Sequence, residues 1–560
     1  MNSNEKPFND GNEVSVTESE RDVSDQTTGG QNLHHDDHSR RGTLKLDDND
    51  HTRPTGFRLL LLTIGLSLVV FTVALEDTIV ATAIPRITTA FNSLNDVGWY
   101  GSAFLLTATS LQPLFGKVYT YFDVKWVYLS ALVVFEVGSI ICAAATSSAM
   151  LIIGRAVAGV GASALFSGSL TIIGFSVPLS KMAFYIAVLT SMYGIASVIG
   201  PVLGGALTDK LSWRWCFWIN LPFGAVAFFA VMLLFTTPHR EDSNLPFRRK
   251  LQKMDIPGAI FFISAIICLL LALQQGGTTY PWGDSRIWGL FLGFGLIIIV
   301  FIVIQYIRGN EATLPRRVVM QRSVLAGSLY TILFSMAFFT HIFFLPFYFQ
   351  AVKGTTAEKS GICSIPYLVS VSLASVISAG AIIKVGYYSP FMWAGAAIFS
   401  VGSGLLFTLQ TSSSTGVWIG YQVVAAAGYG LGMQVPFLAI QAVLSASDMP
   451  TGNAIILFCT TFGGSISISV AETIFTNTLI NQVPKHSQGV DGHVIASSGA
   501  TTLRQIIPSD QLQGVLEAYM YALQRTFILP IVASALSFII SLFMEWRSVK
   551  RIASRASPTT

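Results

Sequence analysis

The stretch Tyr193–Gly224, YGIASVIGPVLGGALTDKLSWRWCFWINLPFG, joins two long apolar runs, and its reading decides the fold. Gly200-Pro201 and Gly204-Gly205 interrupt the first run at positions where a soluble helix would lose about 1 kcal/mol per Gly and about 3 kcal/mol for Pro. A membrane helix tolerates both, because small residues let a neighbouring backbone approach and adjacent helices accommodate Pro. The segment therefore reads as a tightly packed, kinked transmembrane helix followed by an aromatic hinge at the membrane surface. Two roles stay open for its glycines: a structural packing seam, or a moving part.

The rest of the chain agrees with a membrane setting. Of 560 residues, 52% are hydrophobic and only 11% are charged, and mean hydropathy is +0.59. Soluble chains carry about 25% charged residues, so this one belongs in a bilayer. The net charge of +4 is small and is distributed by topology, so no nucleic-acid partner is expected. Cys142, Cys216, Cys268, Cys363 and Cys459 lie at wide spacings and form neither a disulfide framework nor a zinc pattern. Residues 1–52 read as a disordered cytosolic tail, and His34-His35-Asp36-Asp37-His38 within it as solvated chain. No metal and no cofactor are expected.

About 20 apolar residues cross the roughly 30 Å hydrocarbon layer. Windows of that kind fall at Phe57–Ala83, Trp99–Tyr119, Trp126–Thr146, Leu151–Phe175, Ala183–Leu207, Cys216–Thr236, Ile256–Gln274, Ile287–Ile307, Val324–Phe347, Gly361–Lys384, Phe391–Gln410, Val417–Ile440, Gly452–Phe475 and Thr526–Trp546. With the N-terminus cytosolic, the inside flanks carry 22 Lys and Arg against 9 outside, which places both termini in the cytosol. The expected division is an N-terminal six-helix bundle at 53–238, a basic linker and two inserted spans at 239–322, a C-terminal six-helix bundle at 323–546, and a cytosolic tail at 547–560. An extracellular loop, 477–525, is expected to hold a surface helix around Gln511 to Leu523. Gly116-Lys117-Val118 with Lys125, and Gly380-Ala381-Ile382 with Lys384, form a weak internal echo of the kind pseudo-symmetric transporters show.

Three segments carry a resemblance. Leu75-Glu76-Asp77-Thr78-Ile79-Val80-Ala81-Thr82-Ala83-Ile84-Pro85, the Gly200-Pro201-Val202-Leu203-Gly204-Gly205 core, and Trp213-Arg214-Trp215-Cys216-Phe217-Trp218-Ile219-Asn220-Leu221-Pro222 are similar to motifs of the fourteen-span drug:proton antiporters of the major facilitator superfamily, especially filamentous-fungal members. The likeness covers about Gly56 to Trp546. It implies an all-α polytopic fold of two six-helix bundles plus two extra central spans, and an antiporter motif at Gly200, Pro201, Gly204 and Gly205. It also implies a functional role for Arg155 within Gly154-Arg155-Ala156-Val157-Ala158-Gly159. The chain departs from the family at Glu76, where Asp is usual, at Ala187 and Ala196 in place of glycines, and at Thr460 in place of Gln. In the loop after span two only Gly116 and Lys125 match clearly, with Thr120 at the acidic position.

An ionisable residue at mid-span costs about 2.5–3.5 kcal/mol on insertion scales, so each requires an explanation. Glu76 and Asp77 fall roughly 10 Å below the outer end of span one, and Arg155 within about 6 Å of the same surface. These depths allow a carboxylate–guanidinium pair. Pairing favours the ionised acid and separation in an apolar site favours the protonated one, which makes a proton switch; a permanent structural ion pair is the alternative. Glu136 fits either proton coupling or a hydrogen-bonded helix contact. His341, Glu472, Gln350, Gln422, Gln434 and Gln441 are candidates for a substrate cavity, although His341 among Phe338, Phe339, Phe343 and Phe344 also fits packing, and each Gln also fits helix–helix bonding.

No G-x-x-x-x-G-K-[ST] loop and no nucleophile–base constellation occurs, which argues against ATP as the driver and against an enzyme. One proton moving down about 100 mV and one pH unit supplies about 2.3 and about 1.4 kcal/mol. The expectation is a monomeric, proton-coupled exporter of amphipathic organic compounds such as drugs, toxins or secondary metabolites, in the plasma membrane or, alternatively, the vacuolar membrane. Rival readings are uptake or vacuolar transport of siderophores or basic amino acids, and a non-transporting sensor on the same fold.

Overall fold

The computed structural model describes residues 54–91, 96–237, 246–277, 280–487, 489–497 and 507–548. The tail at 1–52, residues 239–245 and the tail beyond 548 lie outside the described residues. In order, the helices are α1 Phe57–Phe91, α2 Val97–Tyr121, α3 Val124–Ala143, α4 Ser148–Ser176, α5 Leu179–Lys210, α6 Trp215–Trp218 and α7 Asn220–Leu234. Then come α8 Phe247–Lys253, α9 Ile256–Gln275, α10 Ser285–Arg308 and α11 Arg316–Val319. The second half holds α12 Arg322–Phe347, which runs into a π-helical turn Tyr348–Val352, α13 Ala357–Val385, α14 Ser389–Phe407, α15 Thr415–Gly432 and α16 Val435–Val443. It closes with α17 Met449–His486, α18 Gly492–Ser497, α19 Ser509–Thr526 and α20 Ile528–Ser541.

Each expected window lands on helix. Among the described residues, thirteen stretches are long and apolar enough to cross a membrane, and the remaining window is α2, a 25-residue helix made more polar by Thr107, Thr109, Ser110 and Gln112. Two of them reach partner helices: Thr107 Oγ1 donates to Ala156 O at 2.9 Å and Gln112 Oε1 accepts from Thr461 at 3.1 Å. Short polar side chains set the helix starts. Asp123 Oδ1 accepts the amides of Lys125 and Trp126, Ser147 caps α4, and Thr356 caps α13. Gly386, at φ +85°, ends α13 in the left-handed conformation that Gly adopts without steric cost.

α1–α7 form one six-span bundle and α12–α20 the other. Between them, α9 stands beside α2 and α17, and α10 packs on α9; Phe262 of α9 meets Phe301 of α10 and Phe458 of α17 at ring separations of 5.1 and 5.2 Å. The outer stripe of α10, including Leu292, Leu296 and Ile299, is exposed at the spacing of a lipid-facing helix side. Asp255 ties this inserted hairpin to the following turn: Oδ1 caps Gly258 N, while Oδ2 accepts from Gln305 Nε2 at 2.6 Å and from both Thr313 N and Oγ1.

Several helices outrun their windows. α1 continues past Ala83 to Phe91, whose ring packs 5.6 Å from Trp213, and α17 continues past Phe475 to His486. The stretch 477–525, read from sequence as a loop with one surface helix, is helical over the end of α17, over α18 and over α19. α19 is amphipathic and buries Val515, Ala518, Tyr519 and Ala522; Tyr519 meets Phe475 at 5.1 Å.

The two halves touch from mid-membrane to the face where α1 begins, here called the basic face for Lys117, Arg248, Arg249, Arg316 and Arg317 at its helix ends. There the missing side chain of Gly116 lets α2 lie against Thr451 and Ala454 of α17. Thr120 Oγ1 and Thr451 Oγ1 share a hydrogen bond at 3.1 Å, and Arg317 pairs with Asp448 at 2.7 Å. Gly194 of α5 meets Ser372 of α13 near the middle.

Candidate functional site

Arg155 is held in place by its neighbours in sequence. On one side, a Cβ at Gly154 would stand 2.7 Å from Cys142 Sγ of α3; on the other, a Cβ at Gly159 would stand 2.4 Å from Phe104 O of α2. Glycines flanking the arginine thus let both helices close around it, leaving its side chain 1% exposed. Nε donates to Tyr100 O at 2.7 Å, and the guanidinium lies 4.7 Å over the Phe104 ring.

Glu76 of α1 is fully buried and faces it. Arg155 Nη1 donates to Glu76 Oε1 at 2.6 Å and to the Glu76 carbonyl at 3.3 Å. The second carboxylate oxygen, Oε2, accepts from Asn220 Nδ2 at 2.7 Å, and the same amide donates to Ser139 Oγ of α3 at 3.1 Å. Four helices therefore converge on one carboxylate whose oxygens each have their own donor. Such desolvated, charge-assisted bonds are the short, strong kind. The side chain of Asp77 lies outside the described residues.

The pair predicted from depth is thus present between Glu76 and Arg155. Asn220 was missed as a partner: it sits in the quoted aromatic motif, but nothing in that motif indicates a ligand 144 residues upstream. The signal available was an Asn at the first position of an otherwise apolar helix. Short α6 and the break at Ile219 turn it inward, while Arg214 anchors the lead-in by donating to Ala145 O at 2.7 Å and lying 4.4 Å over Trp213.

α5 closes the site from another side. A Cβ at Gly200 would stand 2.1 Å from Thr78 Oγ1, so the glycine is what lets α5 lie against α1 within one turn of Glu76. Gly205 faces open space, Gly204 O accepts weakly from Cys216 Sγ at 3.9 Å, and the side chain of Pro201 is outside the described residues. Glu136 lies one turn from Ser139 on α3, with its carboxyl against Gly224 of α7 and both oxygens without hydrogen-bond partners.

The other candidates are dispersed. Gly116 is at the basic-face contact with Lys117 buried beside it, and Lys125 is in the first turn of α3. Gln434 is consumed by Ser375 of α13, accepting from Oγ at 3.2 Å and donating to its carbonyl at 2.9 Å. Gln422 donates to Cys363 O, and Gln441 to Asn453 near the basic face. Gln350 is half-buried in the π-helical turn. His341 is inside the second bundle, bonded through Nδ1 to Tyr367 Oη at 3.2 Å and surrounded by Phe399 and Phe527. Glu472 lines a cavity of about 40 Å³ with Trp282 and Ser469, between the inserted hairpin and α17. The structure brings Glu76, Arg155, Gly200 and Glu136 into one region, and does not gather the glutamines.

Comparison with known proteins agrees with this architecture. A family model described as Major Facilitator Superfamily matches residues 66–468. The chain is 46% identical over 497 residues to the MFS-type efflux pump MFS1 of Arthroderma benhamiae, covering 89% of this chain and 93% of the relative. It is 46% identical to Efflux pump roqT of Penicillium rubens, covering 88% and 91%, and 42% identical to the Aspyridones efflux protein of Neocamarosporium betae, covering 90% of each. The human organic anion transporter MFSD10 superposes with TM-score 0.51 at 16% identity, covering 85% of this chain and 98% of that one, a likeness of fold.

Proposed function

The chain belongs to the major facilitator superfamily, among its efflux transporters, and from that premise we propose that it exports amphipathic organic compounds, such as drugs, toxins or fungal secondary metabolites, in exchange for protons. The observation that carries the proton coupling is the buried Glu76–Arg155 pair, at 2.6 Å, beside the close α1–α5 contact at Gly200. In this arrangement Glu76 is the ionised partner of Arg155. Movement of α1 against α4 and α5 breaks the pair, leaves the carboxylate without its counter-charge in an apolar site, and thereby favours proton uptake there.

The positive-inside rule assigns the basic face to the cytosol. The contacts of Gly116 and Thr120 with Thr451 then close the cytosolic side, which is the arrangement expected after substrate has been passed outward. Gly200, whose missing side chain admits Thr78, serves the closure mechanically, whereas Gly205 meets nothing within 4 Å. The aromatic composition suits amphipathic substrates, and we assign the protein to the plasma membrane as a monomer. The names of the relatives support metabolite export. Deleting the gene and profiling which metabolites accumulate inside cells identifies the compound; unchanged internal levels of every metabolite would count against export.

A further inference from the structure

We propose that Asn220 is a positioning residue that joins Glu76 to a second acid, Glu136, so that Glu136 holds a proton while Glu76 holds the charge. The inference rests on the proton-coupled reading only for what that proton is used for. Its geometry is independent of transport.

Asn220 and Gly224 are one turn apart on α7; Glu136 and Ser139 are one turn apart on α3. Asn220 bonds Ser139, and Glu136 rests on Gly224, so the two pairs form successive rungs of one α3–α7 seam. Both N–H groups of the Asn220 amide are spent, one on Glu76 Oε2 and one on Ser139 Oγ. Its Oδ1 is fully buried and has no partner, and neither has either oxygen of Glu136. Three acceptor atoms without a donor in one seam are costly to bury. A proton on Glu136 supplies the missing donor, one rung from the unpartnered amide oxygen of Asn220.

The groups facing Glu136 make the same case. α4 offers Arg155, already committed to Glu76, and α1 offers Glu76 itself. α6 offers the Cys216 thiol, α3 its own Cys142, and α7 has no titratable side chain. Among the described residues, the cation in contact with either acid is Arg155, already committed to Glu76, so one negative charge is shared by two carboxyl groups. Asn220 touches Glu76, and its unpartnered oxygen lies in the same seam as Glu136.

Infrared difference spectroscopy of the purified full chain, titrated between acid and alkaline pH, reads this without any substrate. A protonated carboxylic-acid band is expected at neutral pH, and Glu136→Gln should abolish it. Asn220→Ala should lower the pH at which the band disappears by about one unit, because the protonated form loses its acceptor. Glu76→Gln, which keeps the side-chain shape, should also lower it by removing the neighbouring charge, and it serves if Asn220→Ala fails to fold. Absence of the band in the unaltered chain, its survival in Glu136→Gln, or a midpoint that ignores Glu76→Gln would overturn the proposal. Loss of pH-driven transport with the band intact would instead count against the transport reading.

Discussion

Arg155 Nη1 and Asn220 Nδ2 approach opposite oxygens of the same Glu76 carboxylate, at 2.6 and 2.7 Å. Three distant parts of the chain meet there, and all three side chains are buried. Both oxygens of the acid are therefore held by donors on other helices, so a shift of either neighbour changes its surroundings.

The first prediction concerns that dependence. Breaking one side of a buried ion pair strands the other charge and costs about 3–5 kcal/mol, whereas replacing both partners with apolar residues is often close to neutral. Arg155→Leu should lower thermal stability in detergent strongly, and the Glu76→Leu, Arg155→Leu double variant should recover most of the loss. Transport should be absent from both. A double-mutant cycle measures the coupling, and additive single effects would contradict the pairing.

The glycines of α5 should separate by position. Gly200→Ala puts a Cβ 2.1 Å from Thr78 Oγ1, while Gly205→Ala meets nothing within 4 Å. The first should slow efflux severely with insertion retained. The second should keep efflux and gain up to about 1 kcal/mol of helix stability. Initial efflux rates and melting temperatures of the two variants check both halves of this statement.

Thr120, at the acidic position of the superfamily's loop after span two, shares a hydrogen bond with Thr451 across the two halves. If it opens in each cycle, cross-linking it should stop the carrier. In a chain without its native cysteines, oxidising Thr120→Cys with Thr451→Cys should block efflux, and reduction should restore it. Undiminished efflux by the oxidised protein would mean that this face does not open.

Asp255 should matter more than its counterpart on the next helix. It accepts four hydrogen bonds while buried, whereas Asp284 caps α10 at the surface through Arg286 N at 2.8 Å. Asp255→Ala strands several donors and should destabilise by about 3 kcal/mol or more. Asp284→Ala should cost about 1 kcal/mol. Chemical denaturation in mild detergent compares them.

Much of the fold was legible because lipid imposes one rule on every span: apolar windows of fixed length. α2 is the weakest window since its Thr and Gln side chains face other helices instead of lipid, and only the structure shows those partners. Glu76 and Arg155 were legible from depth, as charges at similar heights on two spans have few alternatives to each other. Asn220 was not, because a single Asn carries no periodicity and its partner depends on how α7 is rotated. The glutamines fail for the same reason. Gln434 and Gln422 look alike in sequence, yet one is spent on Ser375 and the other keeps an unpartnered Oε1.

The central claim is that Glu76 couples proton movement to efflux. Its most direct test is reconstitution of the full chain and of Glu76→Gln into proteoliposomes, following an accumulated metabolite from the deletion strain together with internal pH. The unaltered protein should drive that compound uphill when a pH gradient is imposed, with protons moving the opposite way. Glu76→Gln should lose uphill transport while still exchanging the compound across the membrane at equal pH. Uphill, proton-linked transport by Glu76→Gln at the unaltered rate would contradict the account.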